Sequence, residues 1–544
     1  MYKSDYKIIF RNFFEFEPYQ FQLEVGEKIL EGKFPLLIKA PTGSGKTEAV
    51  LFPFLNQFID NKFYIAPRMI YVLPMRVLVN NVYERIKRYT QKISPYISVQ
   101  IQHGDFPDSP FFIGDIVVTT LDQFVYGFAR ASQQVGRHID MPAGAIASSL
   151  VIFDEAHMYR DEFTFSIMRA IMEILYESKI PFVVMTATMP ESLEKSLFEN
   201  IDIKDKKIIG EDVINSKLQI RIWDEPLFAN NEVNIDDELL RKIKKKKTLI
   251  VLNQVKRAQK VYEEIKNRLR LDENQIVLLH SRFAKKDRER HENTALSLIP
   301  YKENGKIKIP EGVGIVVSTQ VLEAGIDFSA ELLLTEIAPA DCLVQRAGRC
   351  ARYEGEEGEM IIFPVEVQEG YRPYEEEHIK KTNNWIKNNP NFNIKSFKEV
   401  CSFVNVLDYQ ANDFEARDTL VDLYECVLYA DKKPENIQVR DSKPVTLVVV
   451  DFSIGEGKKK EDIIRSSIRK TAMNLRENSI DIDIGVAWQL FKDGILKYRF
   501  KYDLESKNWD FEKIKEIQPF NMFIIEKNDY DENIGVKNDS SYFI

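Results

Sequence analysis

The run Ala40-Pro41-Thr42-Gly43-Ser44-Gly45-Lys46-Thr47 constrains this chain more than any other segment. An apolar stretch, PLLIKA at 35–40, leads into it, and a helical run follows. Strand, glycine-rich turn and helix in that order make a phosphate-binding loop. Gly43 and Gly45 let the backbone turn tightly enough for its N–H groups to point inward at phosphate oxygens, with Thr42 and Ser44 between and beside them. Lys46 then reaches the β- and γ-phosphates of ATP, and Thr47 offers its hydroxyl to Mg2+. Ala40 stands where the strict pattern has its first glycine.

A second segment completes the chemistry. In Val151-Ile152-Phe153-Asp154-Glu155-Ala156-His157 an apolar strand ends in two carboxylates, which puts them at the carboxyl edge of a sheet, beside the loop. Asp154 is suited to holding Mg2+ and Glu155 to orienting and deprotonating an attacking water. Zinc chemistry of the HExxH kind is excluded, because His157 has no histidine four residues to either side.

The rest of the chain reads as two α/β units in tandem. PLLIKA (35–40), MIYVLP (69–74), DIVVTT (115–120), SLVIFD (149–154) and PFVVMTA (181–187) are continuous apolar runs, as strands buried on both faces must be. After a charged, irregular stretch at 200–245 the pattern restarts with TLIVLN (248–253), QIVLLH (275–280), GIVVSTQ (314–320) and LLLTEIA (332–338). The expected domains are 1–215, 216–370 and an accessory C-terminal domain, 371–544, in which VTLVVVDF (445–452) is an isolated strand signal. Asn56–Lys62 and Lys302–Gly305 read as solvent loops, and Lys244–Lys247 as a solvated helix end.

At 544 residues the chain is too long for one core. No run approaches the ~20 apolar residues of a membrane helix, and Met1–Phe10 does not read as a signal peptide. Cys342, Cys350, Cys401 and Cys426 have no CxxC spacing and read as intracellular thiols, so a cytoplasmic protein is expected, away from membranes. The net charge of −9 rules out nucleic-acid binding by bulk charge; a local basic track or backbone amides would have to serve.

In order along residues 15–355, the motifs resemble those of superfamily 2 helicases of the DExH group, with Asp154-Glu155-Ala156-His157 as motif II. The resemblance implies two tandem RecA-like domains with ATP between them. Tyr19-Gln20 resembles the adenine-reading Q motif, with Gln20 as its reader. Thr186-Ala187-Thr188 resembles motif III, where Thr186 and Thr188, with His157, couple hydrolysis to strand movement. Ser318-Thr319-Gln320 through Gly325-Ile326-Asp327 resembles motif V, which implies Asp327 at the nucleotide and Thr319 at the strand. Gln345 to Arg352 resembles motif VI. Arg349 and Arg352, three apart, would share one helix face and act with Gln345 on the γ-phosphate as the two domains close. Strand-facing groups are expected on the opposite edge: Arg76 of motif Ia, Thr119, Thr120 and Gln123 of motif Ib, and His280 and Ser281 of the second unit.

Within that superfamily, Thr119–Gln123, Phe153–Tyr159 and Val321–Phe328 resemble the CRISPR-associated helicase of type I interference. The resemblance implies single-stranded DNA as track and a guide-RNA surveillance complex as recruiter. Many such helicases carry an N-terminal HD nuclease. Here the Q motif starts near residue 19, only six histidines are present, and no His-Asp dipeptide occurs. The expectation is therefore the helicase-only form, with the nuclease as a separate subunit. A DExH helicase of DNA repair or RNA metabolism would keep the motor and change the substrate. A non-catalytic ATP-clamped binding protein would have no use for Glu155, Arg349 and Arg352.

Overall fold

The computed structural model describes residues 3–537 apart from 160–161, 213–214, 231, 304–305, 324–326, 367–370, 410–417, 419–420, 423–424, 426–443 and 458. Ala324, Gly325 and Ile326 of the expected motif V, and Cys426, thus lie outside the described residues. The chain divides into two compact units, one of residues 1–215 with 393–441 and one of 216–392 with 442–544.

The first unit is built on eight strands: β1 (Leu36–Lys39), β2 (Arg68–Leu73), β3 (Val99–His103), β4 (Phe106–Pro107), β5 (Ile116–Thr120), β6 (Ser149–Phe153), β7 (Phe182–Thr186) and β8 (Lys207–Ile209). Their order is β4-β3-β5-β2-β6-β7-β1-β8. Every pairing is parallel except that of β3 with β4. β1, β5, β6 and β7 are buried along their whole length, which is why they are apolar without alternation. On one face lie α1 (Lys3–Phe14), α2 (Gln20–Leu30), α3 (Lys46–Asp60) and α4 (Arg76–Gln91). There Val25, Val50, Phe54, Val79 and Ile86 pack on Ile38, Tyr71 and Ile152. The helices Leu121–Phe128, Asp140–Ala147 and Glu162–Glu177 cover the other face.

Asn56–Lys62 is not a loop throughout, because α3 continues to Asp60 and ends at Asn61, whose φ is 49°. Asn56 and Gln57 are buried there. Gln57 accepts the Ile65 N–H at 2.6 Å and donates to the Ala66 carbonyl at 3.1 Å, pinning the following turn to the helix.

The second unit carries β9 (Lys217–Ile222), the small ladder β10 (Phe228–Ala229) and β11 (Glu232–Val233), then β12 (Thr248–Val251) and β13 (Ile276–Leu279). The hairpin β14 (Tyr301–Glu303) and β15 (Lys306–Lys308) follows, then β16 (Ile315–Ser318), β17 (Leu332–Glu336) and β18 (Glu357–Phe363). The main sheet, ordered β13-β16-β12-β17-β18-β9, is parallel throughout. Two tandem RecA-like α/β domains therefore underlie the chain. Lys302–Gly305 belongs to the β14–β15 hairpin as far as Glu303. Lys244 and Lys245 end a helix, whereas Lys246 pairs with Glu359 at 3.4 Å and Lys247 is buried.

Residues 371–544 do not stay together. The segment 393–441 groups with the first unit, where Asn405 Oδ1 accepts the Glu191 N–H at 3.0 Å and Asp212 Oδ1 accepts the Phe397 N–H at 2.5 Å. The accessory sheet proper is β19 (Pro444–Val450), β20 (Ser479–Asp483), β21 (Tyr498–Asp503), β22 (Asn508–Lys513) and β23 (Met522–Glu526), ordered β20-β19-β23-β21-β22. It leads into a last hairpin, β24 (Tyr530–Asp531) and β25 (Gly535–Val536). Among the described residues no helix is long and apolar enough to cross a membrane.

Candidate nucleotide and strand site

The loop after β1 enters α3 at Lys46, with Gly43 and Gly45 at φ 81° and 80°. A side chain at Gly45 would be strained, and its Cβ would fall 2.5 Å from Gln22 Nε2. Lys46 is buried, and its ammonium donates to the carbonyls of Ala40 at 3.0 Å and Pro41 at 3.1 Å. Ser44 Oγ is buried without a hydrogen-bond partner among the described residues. The Thr47 hydroxyl lies 3.2 Å from that of Tyr71.

Asp154 follows β6 and is buried. Its Oδ2 accepts the Tyr71 hydroxyl at 2.6 Å and its Oδ1 the Glu155 N–H at 2.8 Å. Burial, then the neighbouring Glu155 carboxylate, pushes Asp154 up to about 6, against the pull of Lys46. Glu155 takes φ 52°, a left-handed backbone that costs a non-glycine residue of order 1 kcal/mol and marks functional turns. Its Oε2 is buried without a hydrogen bond and 3.5 Å from His157 Nδ1. That Nδ1 also stands 3.2 Å from Thr186 Oγ1, which accepts the Thr188 N–H at 3.3 Å. The Ala40 N–H donates to the Thr186 carbonyl at 3.1 Å, so β7 holds both the loop and the carboxylate turn. Two crowded carboxylates and a threonine hydroxyl offer the oxygen donors that a hard divalent cation requires, with the Lys46 ammonium left for the phosphates, and Mg2+ fits them.

The glutamine at the loop is Gln22, not Gln20. Gln20 is exposed beside the charged side chains of Glu24, Glu27 and Lys28. Gln22 is fully buried: its Oε1 accepts the Tyr19 N–H at 2.9 Å, capping α2, and its Nε2 donates to the carbonyls of Gly45 at 2.9 Å and Ser44 at 3.3 Å. The first turn of α2 turns its third residue, rather than its first, toward the core. The glutamine three residues after Tyr19, in capping-box spacing, was the signal in the sequence.

The strand-facing candidates do not lie on the opposite edge. Every main strand of each sheet is parallel, so all their following loops share one carboxyl edge. Arg76 follows β2, and Thr119 and Thr120 end β5; both strands lie beyond β6 and β7 from β1, so the shift is sideways along that edge. Arg76 is half-exposed and pairs with Asp105 at 3.2 Å. Thr119 and Thr120 are buried, with Thr119 Oγ1 donating to the Gln102 carbonyl at 2.8 Å. Gln123 Oε1 accepts from Gln102 Nε2 at 3.0 Å.

In the second unit Ser281 is exposed, but His280 is not. The β24–β25 hairpin covers it. His280 Nδ1 accepts the Arg282 N–H at 3.1 Å, so Nε2 carries the proton and donates to the Ile534 carbonyl at 2.8 Å. Burial holds this ring well down, at about 3. The Thr319 N–H donates to the Leu279 carbonyl at 3.2 Å, and its side chain is buried.

Arg349 and Arg352 do not share a helix face either. The helix Ala340–Ala347, which carries the half-buried Gln345, ends before them; Gly348 caps it and Ala351 takes φ 45°. Arg349 donates to the carbonyls of Leu322 and Glu323, both at 3.0 Å, while Arg352 pairs with Asp327 at 2.7 Å. The expected motifs V and VI are thus joined. The sequence reading passed over Arg346, which is fully buried and bonds Glu323 at 2.9 Å, Thr335 at 2.8 Å and Asn253 at 3.1 Å.

Residues 19–196 match the family model of the DEAD/DEAH box helicases, and residues 244–355 that of the C-terminal part of the CRISPR-associated nuclease/helicase Cas3. The chain is 28% identical to the CRISPR-associated helicase Cas3 of Thermoproteus tenax over 85% of its own length and 80% of that protein's. It is also 28% identical to the putative CRISPR-associated nuclease/helicase Cas3 of Methanocaldococcus jannaschii, over 80% of this chain and 61% of that one. Of the Streptococcus thermophilus nuclease/helicase Cas3, at 24% identity, it spans 43%. In fold it is similar to the crystal structure of T. fusca Cas3-ATP, with a TM-score of 0.69 at 18% identity over 95% of this chain and 69% of that one. The chain is an ATP-dependent helicase that carries the motifs of the DExH group, and it is similar to the CRISPR-associated Cas3 helicases.

Proposed function

We propose that this chain is the DNA motor of type I CRISPR interference, pulling single-stranded DNA with ATP and Mg2+ for a separate HD nuclease subunit. The observation that carries the reading is the Asp154–Glu155 pair set at the carboxyl edge with Thr47 and Lys46. Lys46 would exchange the Ala40 and Pro41 carbonyls for phosphate oxygens. Thr47 and Asp154 would hold Mg2+, which neutralises charge across the phosphates. Glu155, whose Oε2 has no competing hydrogen bond, would orient the water and take its proton. Thr42, Gly43, Ser44 and Gly45 cradle the phosphates, and Gln22 ties that cradle to α2.

From the domain 216–370, Arg349 and Arg352, with Gln345 and Asp327, would reach the γ-phosphate on closure. Arg349 would have to leave the Leu322 and Glu323 carbonyls, and Arg352 its pair with Asp327, so the two states differ by a definite exchange of partners. The His157–Thr186–Thr188 contact would transmit the loss of the γ-phosphate to β7. Arg76, Thr119, Thr120, Gln123, Ser281 and Thr319 would meet the strand's phosphates and sugars, with His280 supporting the Ser281 turn.

Several observations support the CRISPR setting. The T. tenax relative, named a helicase, is matched over 80% of its length, whereas two relatives named nuclease/helicase are matched over 61% and 43%. A structural neighbour with a TM-score of 0.62 comes from a CRISPR RNA-guided surveillance complex. Five of the six histidines have polar protein partners among the described residues: His103 with Asn80, His157 with Thr186, His280 with Ile534, His291 with Leu278 and His378 with Glu375.

The test is ATP hydrolysis by the purified chain. Single-stranded DNA should stimulate it, less so as salt rises, because several phosphates are contacted. Glu155→Gln should keep ATP affinity and lose turnover. Stimulation by RNA and not by DNA would overturn the substrate, and wild-type turnover in Glu155→Gln would overturn the assigned base.

A further inference from the structure

Tyr71 is an unusual residue to find under a phosphate-binding loop. It lies on β2 among apolar neighbours, fully buried, and its side chain enters the face covered by α3 and α4. Its hydroxyl donates to Asp154 Oδ2 at 2.6 Å and lies 3.2 Å from Thr47 Oγ1. A tyrosine hydroxyl has one proton. That proton goes to the carboxylate, so the Thr47 hydroxyl must donate its own to the Tyr71 oxygen. The direction of the chain is therefore fixed: Thr47 to Tyr71 to Asp154.

The direction has a consequence for any cation. Thr47 Oγ1 spends its proton on Tyr71, which leaves its lone pairs turned away from the ring. Asp154 is held by both oxygens, Oδ2 by Tyr71 and Oδ1 by the Glu155 N–H. Thr47 and Asp154 come from two different strand–loop connections, those of β1 and β6, which lie two places apart in the sheet with β7 between them. Tyr71, on the far side of β6, is the side chain that spans them.

We propose that Tyr71 is a positioning residue of the metal site, whose hydroxyl relays a hydrogen bond from Thr47 to Asp154 and sets these two oxygen donors at the spacing a divalent cation needs. The inference rests on the reading of Thr47 and Asp154 as Mg2+ ligands. Partners that orient ligands in this way change metal affinity by roughly 10–100-fold when removed.

The experiment measures binding of a fluorescent ADP analogue to the full chain over a series of Mg2+ concentrations and in EDTA. Tyr71→Phe should raise the half-saturating Mg2+ roughly tenfold and reach the wild-type plateau once Mg2+ is saturating. A mere packing defect would lower the plateau and leave the half-saturation in place, and that result would overturn the inference. Asp154→Asn separates the two levels of the argument. If it abolishes the Mg2+ dependence and Tyr71→Phe does not shift it, the relay is wrong and the ligands stand. If Asp154→Asn leaves the dependence intact, the ligands are wrong and the relay falls with them. A second measurement leaves the packing untouched: 3-fluorotyrosine placed at position 71 should show a 19F shift between ADP in EDTA and ADP with Mg2+, and an unmoved resonance would overturn the relay.

Discussion

At the scale of single residues, the site divides between side chains that offer chemistry and side chains that hold them. Lys46, Thr47, Asp154 and Glu155 were legible because each sits at a fixed offset in a short run whose local fold leaves little choice. Gln22 and Tyr71 were not, because their importance lies in reaching a neighbour that is distant along the chain. Placing the glutamine at Gln22 rather than Gln20 needs the rotation of α2, for which the capping-box spacing from Tyr19 is the one local sign. The distinction is testable. Gln22→Ala removes bonds to the Gly45 and Ser44 carbonyls, each worth about 1 kcal/mol. The KM for ATP should rise roughly tenfold, while kcat in saturating ATP changes less. Gln20→Ala, altering an exposed side chain, should leave both near wild type. Equal effects from the two substitutions in a steady-state ATPase assay would return the role to Gln20.

At the scale of elements, the buried parallel strands announced themselves, whereas edges and turns did not. β1, β5, β6 and β7 are apolar along their length, so their pattern survives without knowledge of partners. β9 reads KLQIRI and is largely exposed, and only its pairing with β18 makes it a strand. The β24–β25 hairpin is the clearest case of structure invisible in sequence. Gly535, at φ 87°, lets it close on the turn after β13, because a Cβ there would fall 2.6 Å from the Arg282 carbonyl. Tyr530 adds a 2.6 Å bond to Asp287, and Gln259 donates to the Ile534 carbonyl at 2.8 Å. This contact makes the stability of the unit pH-dependent. Burial holds His280 at about 3, against 6.5 in an unfolded chain; nearby Arg282, His291 and Arg288 also lower it, while the Ile534 carbonyl raises it. The unfolded chain therefore binds the extra proton first. Stability is complete above pH ~6.5 and falls as pH drops from there toward 3, by about 1 kcal/mol per pH unit. Burial depresses His291 too, in the same direction. His280→Gln should flatten the decline of the thermal midpoint between pH 7 and pH 5 relative to wild type. An unchanged slope would show that the ring is not the group titrating.

At the scale of the whole molecule, a net charge of −9 and a nucleic-acid track are compatible only if the track is met locally. The candidates for that contact are mostly hydroxyls and amides at strand ends, which recognise a phosphate backbone without net positive charge. Under the proposed function such a motor grips, moves and lets go, and among the described residues no cluster of three or more His, Cys, Asp or Glu is placed to hold a metal ion. A phosphodiesterase of the two-metal kind needs histidines and carboxylates gathered within about 4 Å of its ions. Here His103 is engaged on β3 by Asn80 at 2.8 Å, and His291 bonds the Leu278 carbonyl at 2.6 Å, each within its own unit. The expected outcome is a chain that translocates on DNA with ATP and Mg2+ and leaves the DNA intact. Circular single-stranded DNA incubated with the protein, ATP and Mn2+ or Ni2+ should stay circular on a denaturing gel. Linear or shortened products should form once an HD nuclease is supplied as a second polypeptide, and they should require ATP. Cutting by the chain alone that persists through purification and disappears in His103→Ala or His291→Ala would place a nuclease within this fold and end the divided arrangement. Cutting by the pair that proceeds equally well with Glu155→Gln would sever it in another way, because the nuclease would then need no motor to feed it.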